Sequence, residues 1–315
     1  MQSSRMWVEP WSPEYGSSTE VDPALDVSEE EVDLFVETDR WSAVSPGVQV
    51  LPATVFIDGV DRVDARAFYR TASDGLVPGL FGSVGAGAVL YDGGSHFDDC
   101  RVERWGVFGA GQRPELKTGY PSTHYGSRSI AGDRTDELRA DLQRAREELE
   151  VTLARELASD GLLVLADGPL RLRESLEVIG YIKSHQKTYL GADQQAVAMG
   201  LGAGQRTPIF QFGRVRPRFS WYLRLAELAD RHPWAAIARC EVSTTVGVDR
   251  AVRLADLVTQ HLPRFASKSF WDTRAPQNLV PIATLERRLW RLLGDRELVM
   301  RRINRAVMDK GLVDG

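Results

Sequence analysis

The segment Leu162-Leu163-Val164-Leu165-Ala166-Asp167-Gly168-Pro169-Leu170 constrains this chain more than any other stretch. Five apolar residues run into an aspartate, and a Gly-Pro pair stops the run. A short apolar run bounded by turn residues reads as a strand buried on both faces. Its terminal carboxylate then sits at the rim of a sheet, where open α/β folds place their ligands. The same grammar occurs upstream in Ala53-Thr54-Val55-Phe56-Ile57-Asp58-Gly59-Val60. Two buried strands that each end in Asp-Gly predict two carboxylates side by side, an arrangement whose usual physical reason is a divalent metal.

Composition narrows the setting. The 315 residues suffice for one large domain or two small ones with a sizeable core. A formal charge of −5 gives no global basic field, so any polyanion site has to be a local groove. Cys100 and Cys240 have no metal-type spacing and imply no disulfide framework, which points to a reducing cytoplasm. The polar first twenty residues are not a signal peptide, and no window approaches the ~20 apolar residues of a membrane span. The expectation is a soluble, cytoplasmic protein with no membrane partner.

Taken in order, residues 1–45 are rich in Ser, Pro, Glu and Asp and read as a loosely ordered lead-in, with one short helix at 29–37; residues 46–315 form a single domain. Residues 51–58 are the first strand, residues 64–70 its hairpin partner, and Asp58-Gly59-Val60-Asp61 the turn between them. The Gly/Ala-rich run 80–91 is a third strand; its glycines do not form G-x-G-x-x-G before a helix, so a dinucleotide site is rejected. Residues 92–133 lack periodicity and read as a long connection. Residues 135–158 form the clearest helix, with Leu138, Leu142, Ala145, Leu149 and Leu153 at helical spacing and acids in the first turn. Strands are expected at 176–183, 208–212, 219–225 and 235–242. Helices are expected at 192–201, 249–262 and 282–308, the last broken at Gly294.

Three antiparallel strands, a long helix and a buried strand ending in Asp form the ribonuclease H-like plan: a mixed α/β sheet with a parallel continuation, flanked by helices, here with a C-terminal helical extension. In that plan an Asp on the first strand, an acid on the helix and an Asp on the fourth strand converge on metal ions. Phosphodiester hydrolysis uses two hard cations ~3.5–4 Å apart to stabilise the attacking and leaving oxygens, and Mg²⁺ or Mn²⁺ prefers carboxylate ligands. Asp58 and Asp167 are the first and third members by position. For the helix acid, Glu156 lies at the wrong end and Glu147 points outward. Glu148 and Glu150 remain, and matching levels along helix and strand slightly favours Glu148. No G-x-S-x-G elbow supports a serine hydrolase.

Phe56-Ile57-Asp58-Gly59, Glu150 with Leu153-Ala154, Leu165-Ala166-Asp167-Gly168-Pro169-Leu170 and Val178-Ile179-Gly180-Tyr181-Ile182-Lys183 resemble, in this order, the motifs of the NurA nuclease family. The resemblance spans residues 50–308. It implies a Mn²⁺-dependent (or Mg²⁺-dependent) 5′-to-3′ exonuclease and single-strand endonuclease, a homodimer that works with the hexameric ATPase HerA in DNA end resection. It implies Asp58, Glu150 and Asp167 as metal ligands, Glu150 being preferred to Glu148 on the family pattern, and Lys183 as a phosphate contact. The family's C-terminal histidine is missing here, so either Asn278 or Asp272 substitutes as an oxygen ligand or the site lacks this member. Lys183, His185, Lys187 and Arg218, beside Arg214 and Arg216, would track the DNA backbone, with Trp221, Tyr222, Phe270 and Trp271 as stacking platforms. A catalytically silent module of the same fold, assembling with a DNA-translocating ATPase, is the alternative.

Overall fold

The computed structural model describes residues 5–8, 31–71, 75–172, 174–183, 189–227, 233–268, 270, 272 and 274–313. In chain order the elements are β1 (Arg5–Val8), β2 (Val32–Asp33), β3 (Thr54–Arg70), β4 (Leu76–Tyr91), β5 (Ser95–Phe108), β6 (Gly126–Ser129), α1 (Thr135–Ser159), β7 (Leu163–Asp167), β8 (Val178–Ile182), α2 (Ala192–Met199), β9 (Phe210–Phe212), β10 (Arg218–Arg224), β11 (Ile237–Ser243), α3 (Val248–His261), α4 (Val280–Leu292) and α5 (Arg296–Val313). Among the described residues the strands form one sheet in the order β2-β9-β10-β11-β8-β7-β3-β4-β5-β6, with β1 pairing to β3 off that path. β3, β4 and β5 are mutually antiparallel, and β3, β7 and β8 are parallel. The expected mixed sheet, flanked by helices and closed by C-terminal helices, is therefore present. Beyond β8 it turns antiparallel again through β11, β10 and β9.

The two faces have separate cores. On one, Leu153, Ala154 and Leu157 of α1 pack on Val55, Ile57 and Val164, and Leu142 and Leu149 pack on Leu80, Val84 and Val107. On the other, residues of α3 and α4 cover Phe56, Leu165, Tyr181 and Trp221. Neither face of the central strands meets water, which is why 53–57 and 162–166 read as unbroken apolar runs rather than alternating ones.

Three expectations change. Asp58-Gly59 is not a hairpin turn: β3 runs unbroken through it, with Asp58 opposite Gly87 and Gly59 opposite Ala86. β4 is a long uninterrupted strand whose backbone groups need partners, and that continuous ladder outweighs the local turn preference of Asp-Gly. Residues 92–133 are not a plain connection, since β5 pairs with β4 along most of its length. The outer part of β5 is exposed on both faces, so it lacks the apolar signal of a buried strand. Residues 31–37 are not helical; Val32–Asp33 pairs with β9, and Glu37 binds Arg206.

Leu142 is fully buried where α1 crosses β4. Leu142→Ala is expected to lower stability by about 2–5 kcal/mol through lost transfer energy and a residual cavity, read as a reduced midpoint in urea unfolding with an unchanged slope.

Candidate metal centre and basic cleft

The parallel pairing of β3 with β7 ends at Ile57 opposite Ala166. The next residue on each strand is an aspartate, so Asp58 and Asp167 leave neighbouring strands at the same level and on the same face. β7 stops there while β3 continues to Arg70, and the sheet splits. The split opens into a cleft of about 1350 Å³.

Asp58 is only 8% exposed, and one oxygen accepts the Gly59 backbone N–H at 2.8 Å. Burial pushes its carboxyl up to about 8, and the negative charge of Asp167 adds to the rise; Lys183 opposes it and Glu150 adds further. Asp167 has its Oδ2 2.7 Å from the Lys183 ammonium. Its Oδ1 is buried and has no hydrogen-bond partner among the described residues. Both features fit a cation: an acceptor without a donor, and a buried acid that a nearby positive charge would ionise.

Glu150 is buried on the α1 face. Its carboxylate lies where a side chain at position 59 would stand, so any larger residue there would displace the Glu150 carboxylate. Burial pushes the Glu150 carboxyl up, against the pull of Arg146, with which it makes a close ion pair, and of Arg171 at 3.5 Å. The preference for Glu148 from level-matching is corrected: Glu148 is outward and binds Arg128 on β6 at 2.8 Å. Rotation about the helix axis decides this rather than height along it, because Glu150 shares a stripe with Leu153, Ala154 and Leu157. Glu156 is likewise outside the stripe, pairing with Arg101 at 2.5 Å. Among the described residues no three His, Cys, Asp or Glu groups form a ready cation cage. Asp58 and Asp167 are the natural pair of oxygen donors, and Glu150 would join them only by releasing Arg146.

Lys183 donates to Asn278 Oδ1 at 3.1 Å as well as approaching Asp167. Asn278 in turn donates to Asp272 Oδ2 at 2.5 Å. Neither Asn278 nor Asp272 therefore turns a free oxygen toward the aspartate pair; they stand behind Lys183. Arg218 lines the cleft and binds Glu241 at 2.7 Å. Trp221 is corrected as a stacking platform: it is 0% exposed, because its position on β10 faces the core under α3. Tyr222 is buried on the opposite face. Phe270 is exposed, whereas His185, Lys187 and Trp271 lie outside the described residues.

Several residues of the site were not anticipated. Among the described residues ten arginines and Lys183 line the cleft against five carboxylates, in a chain whose net charge is −5, and of these cations only Lys183, Arg214, Arg216 and Arg218 were expected. Glu241, buried on β11, accepts from Arg218, from Arg239 at 2.5 Å and from the Leu170 backbone N–H at 3.0 Å, fastening the loop after Asp167. Charged residues two apart in an otherwise apolar strand, Arg239 and Glu241, were the available signal.

No family model and no curated protein matches the sequence. Among solved structures, the chain is similar to the crystal structure of the NurA nuclease from Sulfolobus solfataricus. The match has a TM-score of 0.52 at 12% identity and covers 86% of this chain and 88% of that one. The fold is NurA-like. The NurA-like sheet carries Asp58 and Asp167 at its split, and among the described residues no helix is long and apolar enough to cross a membrane.

Two outcomes follow from the geometry. A side chain at Gly180 would meet the Leu170 nitrogen at 2.5 Å and the Gly168 oxygen at 3.0 Å. Gly180→Ala is expected to displace the loop after Asp167 and cost about 1–3 kcal/mol, measurable by urea unfolding. For Asp58, the folded-state carboxyl lies above its unfolded value of 3.8, so its contribution to stability is present at low pH and is lost as pH rises toward about 8. In metal-free buffer, the wild-type Tm should therefore fall relative to that of Asp58→Asn between about pH 4 and 8; parallel curves would refute the assignment.

Proposed function

We propose that the cleft is the active site of a metal-dependent DNA nuclease. The observation that carries the reading is the adjacent pair Asp58, raised to about 8, and Asp167, with a buried oxygen that has no partner among the described residues, facing a cleft rich in arginine. Asp58 and Asp167 would hold Mn²⁺ or Mg²⁺, with Glu150 as a third ligand after exchange from Arg146. A metal held there would supply Lewis-acid polarisation of the phosphoryl group and activation of the attacking water.

The chain's own residues supply the rest. Cleft cations bind the sugar-phosphate backbone by counterion release. Arg139, Arg214 and Arg216 line the cleft and make no ion pair among the described residues, so they meet a polyanion without breaking an internal contact. Lys183 offers an N–H beside Asp167 for a phosphate oxygen. The sheet split orients the strand so that its phosphates pass Asp58 and Asp167. The family resemblance extends the proposal to 5′-to-3′ exonuclease and single-strand endonuclease activity, DNA end resection with a HerA-type hexameric ATPase, a homodimeric assembly and a cytoplasmic location.

A second reading, a catalytically silent module that assembles with such an ATPase, draws on Arg146 and Lys183. Their charges already neutralise Glu150 and Asp167, as protein-supplied cations do in a site that takes no metal.

The test uses end-labelled single-stranded and duplex oligonucleotides with Mn²⁺ or Mg²⁺. Asp58→Asn and Asp167→Asn should each lower the rate by more than about 100-fold, since even residues that only support a ligand cost 10–100-fold. Mn²⁺ at about 100 times its Kd should stabilise the wild type by roughly 2.7 kcal/mol in a thermal melt, and Asp58→Asn should abolish that shift. A wild type that cleaves nothing and shows no Mn²⁺-dependent shift favours the silent module.

A further inference from the structure

Lysine side chains lose much rotamer freedom when held in one place, so an ammonium fixed in a site needs a tether. Lys183 lies one residue beyond β8 and is held by two contacts: Asp167 Oδ2 at 2.7 Å and Asn278 Oδ1 at 3.1 Å. Asn278 is 0% exposed and has its own fixed surroundings. Its backbone N–H donates to Arg274 O and its carbonyl accepts from the Ser267 N–H, each at 3.1 Å. The preceding carbonyl, of Gln277, accepts from the Tyr181 hydroxyl at 2.6 Å, so the loop is fastened to β8 on both sides of Ile182.

The amide has two chemically different ends, and Asp272 decides which faces Lys183. An ionised carboxylate only accepts, so it takes the Asn278 Nδ2 and turns Oδ1 toward the ammonium. The same contact polarises the amide and strengthens Oδ1 as an acceptor. Asp272 is itself held by the Arg274 backbone N–H at 2.8 Å. An ammonium has three N–H groups; two are engaged, and Lys183 has no third partner among the described residues while lining the cleft.

We propose that Asn278, oriented by Asp272, is a positioning residue that holds Lys183 against Asp167 with its remaining N–H directed to a non-bridging phosphate oxygen of a nucleic-acid strand. The inference rests on the nuclease reading and deepens it: the positions expected to replace a metal-binding histidine act through the lysine.

A double-mutant cycle on kcat/KM with Mn²⁺ and a labelled single-stranded oligonucleotide tests it, using Asn278→Leu, Lys183→Met and the double variant. Asn278→Leu is expected to cost about ten- to a hundredfold in the wild-type background, as loss of a hydrogen bond to a charged group does, and almost nothing when Lys183 is already methionine. Asp272→Asn, which leaves the amide unoriented, should show the same dependence on Lys183 and carries the test if Asn278→Leu does not fold. Oligonucleotide affinity in EDTA gives a readout without turnover: Lys183→Met should reduce the salt slope by about one, and Asn278→Leu should weaken binding only when Lys183 is present. Equal losses with and without Lys183 would make Asn278 a purely structural residue and overturn the inference while leaving the nuclease reading intact. A wild type that neither cleaves nor binds the oligonucleotide overturns the nuclease reading, and this inference with it.

Discussion

Two carboxylates emerging at the same level from adjacent parallel strands repel each other, and much of the surrounding structure answers that repulsion. Asp58 lies buried beside Asp167, so its charged form is disfavoured by lost solvation and by a like charge. The chain holds this arrangement because β3, β7 and β8 are locked by parallel pairing inside a core covered on both faces. The electrostatic cost of the acid pair is offset by apolar burial elsewhere in the same strands.

The cleft shows how an acidic protein can present a positive surface. Most of its arginines are tied to acids: Arg218 and Arg239 to Glu241, Arg171 to Glu147, Arg274 to Asp272 and Glu286. Such pairs fix the direction of the guanidinium groups, and where both partners are buried, as in Arg239 and Glu241, the pair escapes the screening that weakens exposed ones. Preorganised cations lose little entropy when a polyanion binds, whereas free side chains would have to be ordered at that moment.

Legibility followed burial. Asp58 and Asp167 stood out because each closes an apolar run hidden on both faces, where nearly every residue is apolar and a lone acid is conspicuous. The helix of residues 135–158 was plain from its leucine spacing and emerged as Thr135–Ser159. In the sequence Glu150 was separable from Glu148 only through the family pattern, since helical spacing puts both at the edges of the apolar stripe; packing buried the one and left the other outward. β5 was hidden because its outer end faces water on both sides, and the Asp-Gly of β3 looked like a turn because its pairing partner lies some thirty residues away. Trp221 looked like a stacking surface because an aromatic in a strand does not announce which face it will bury.

The sequence alone determined which segments must be hidden, and so where two acids would meet the rim of a sheet; hydrophobic burial is local enough to be seen residue by residue. Tertiary structure decided what those acids face. The arginines of the cleft come from β3, α1, the loop after β7, the β9–β10 connection, β10, β11, the segment before α4 and the start of α5, and Glu241 reaches the Asp167 loop from a strand some seventy residues downstream. Charge pairing at that range depends on strand order and register, which no local pattern encodes. Asp167 is therefore visible in the chain, while the cations that surround it exist as a site only once the sheet has closed around them.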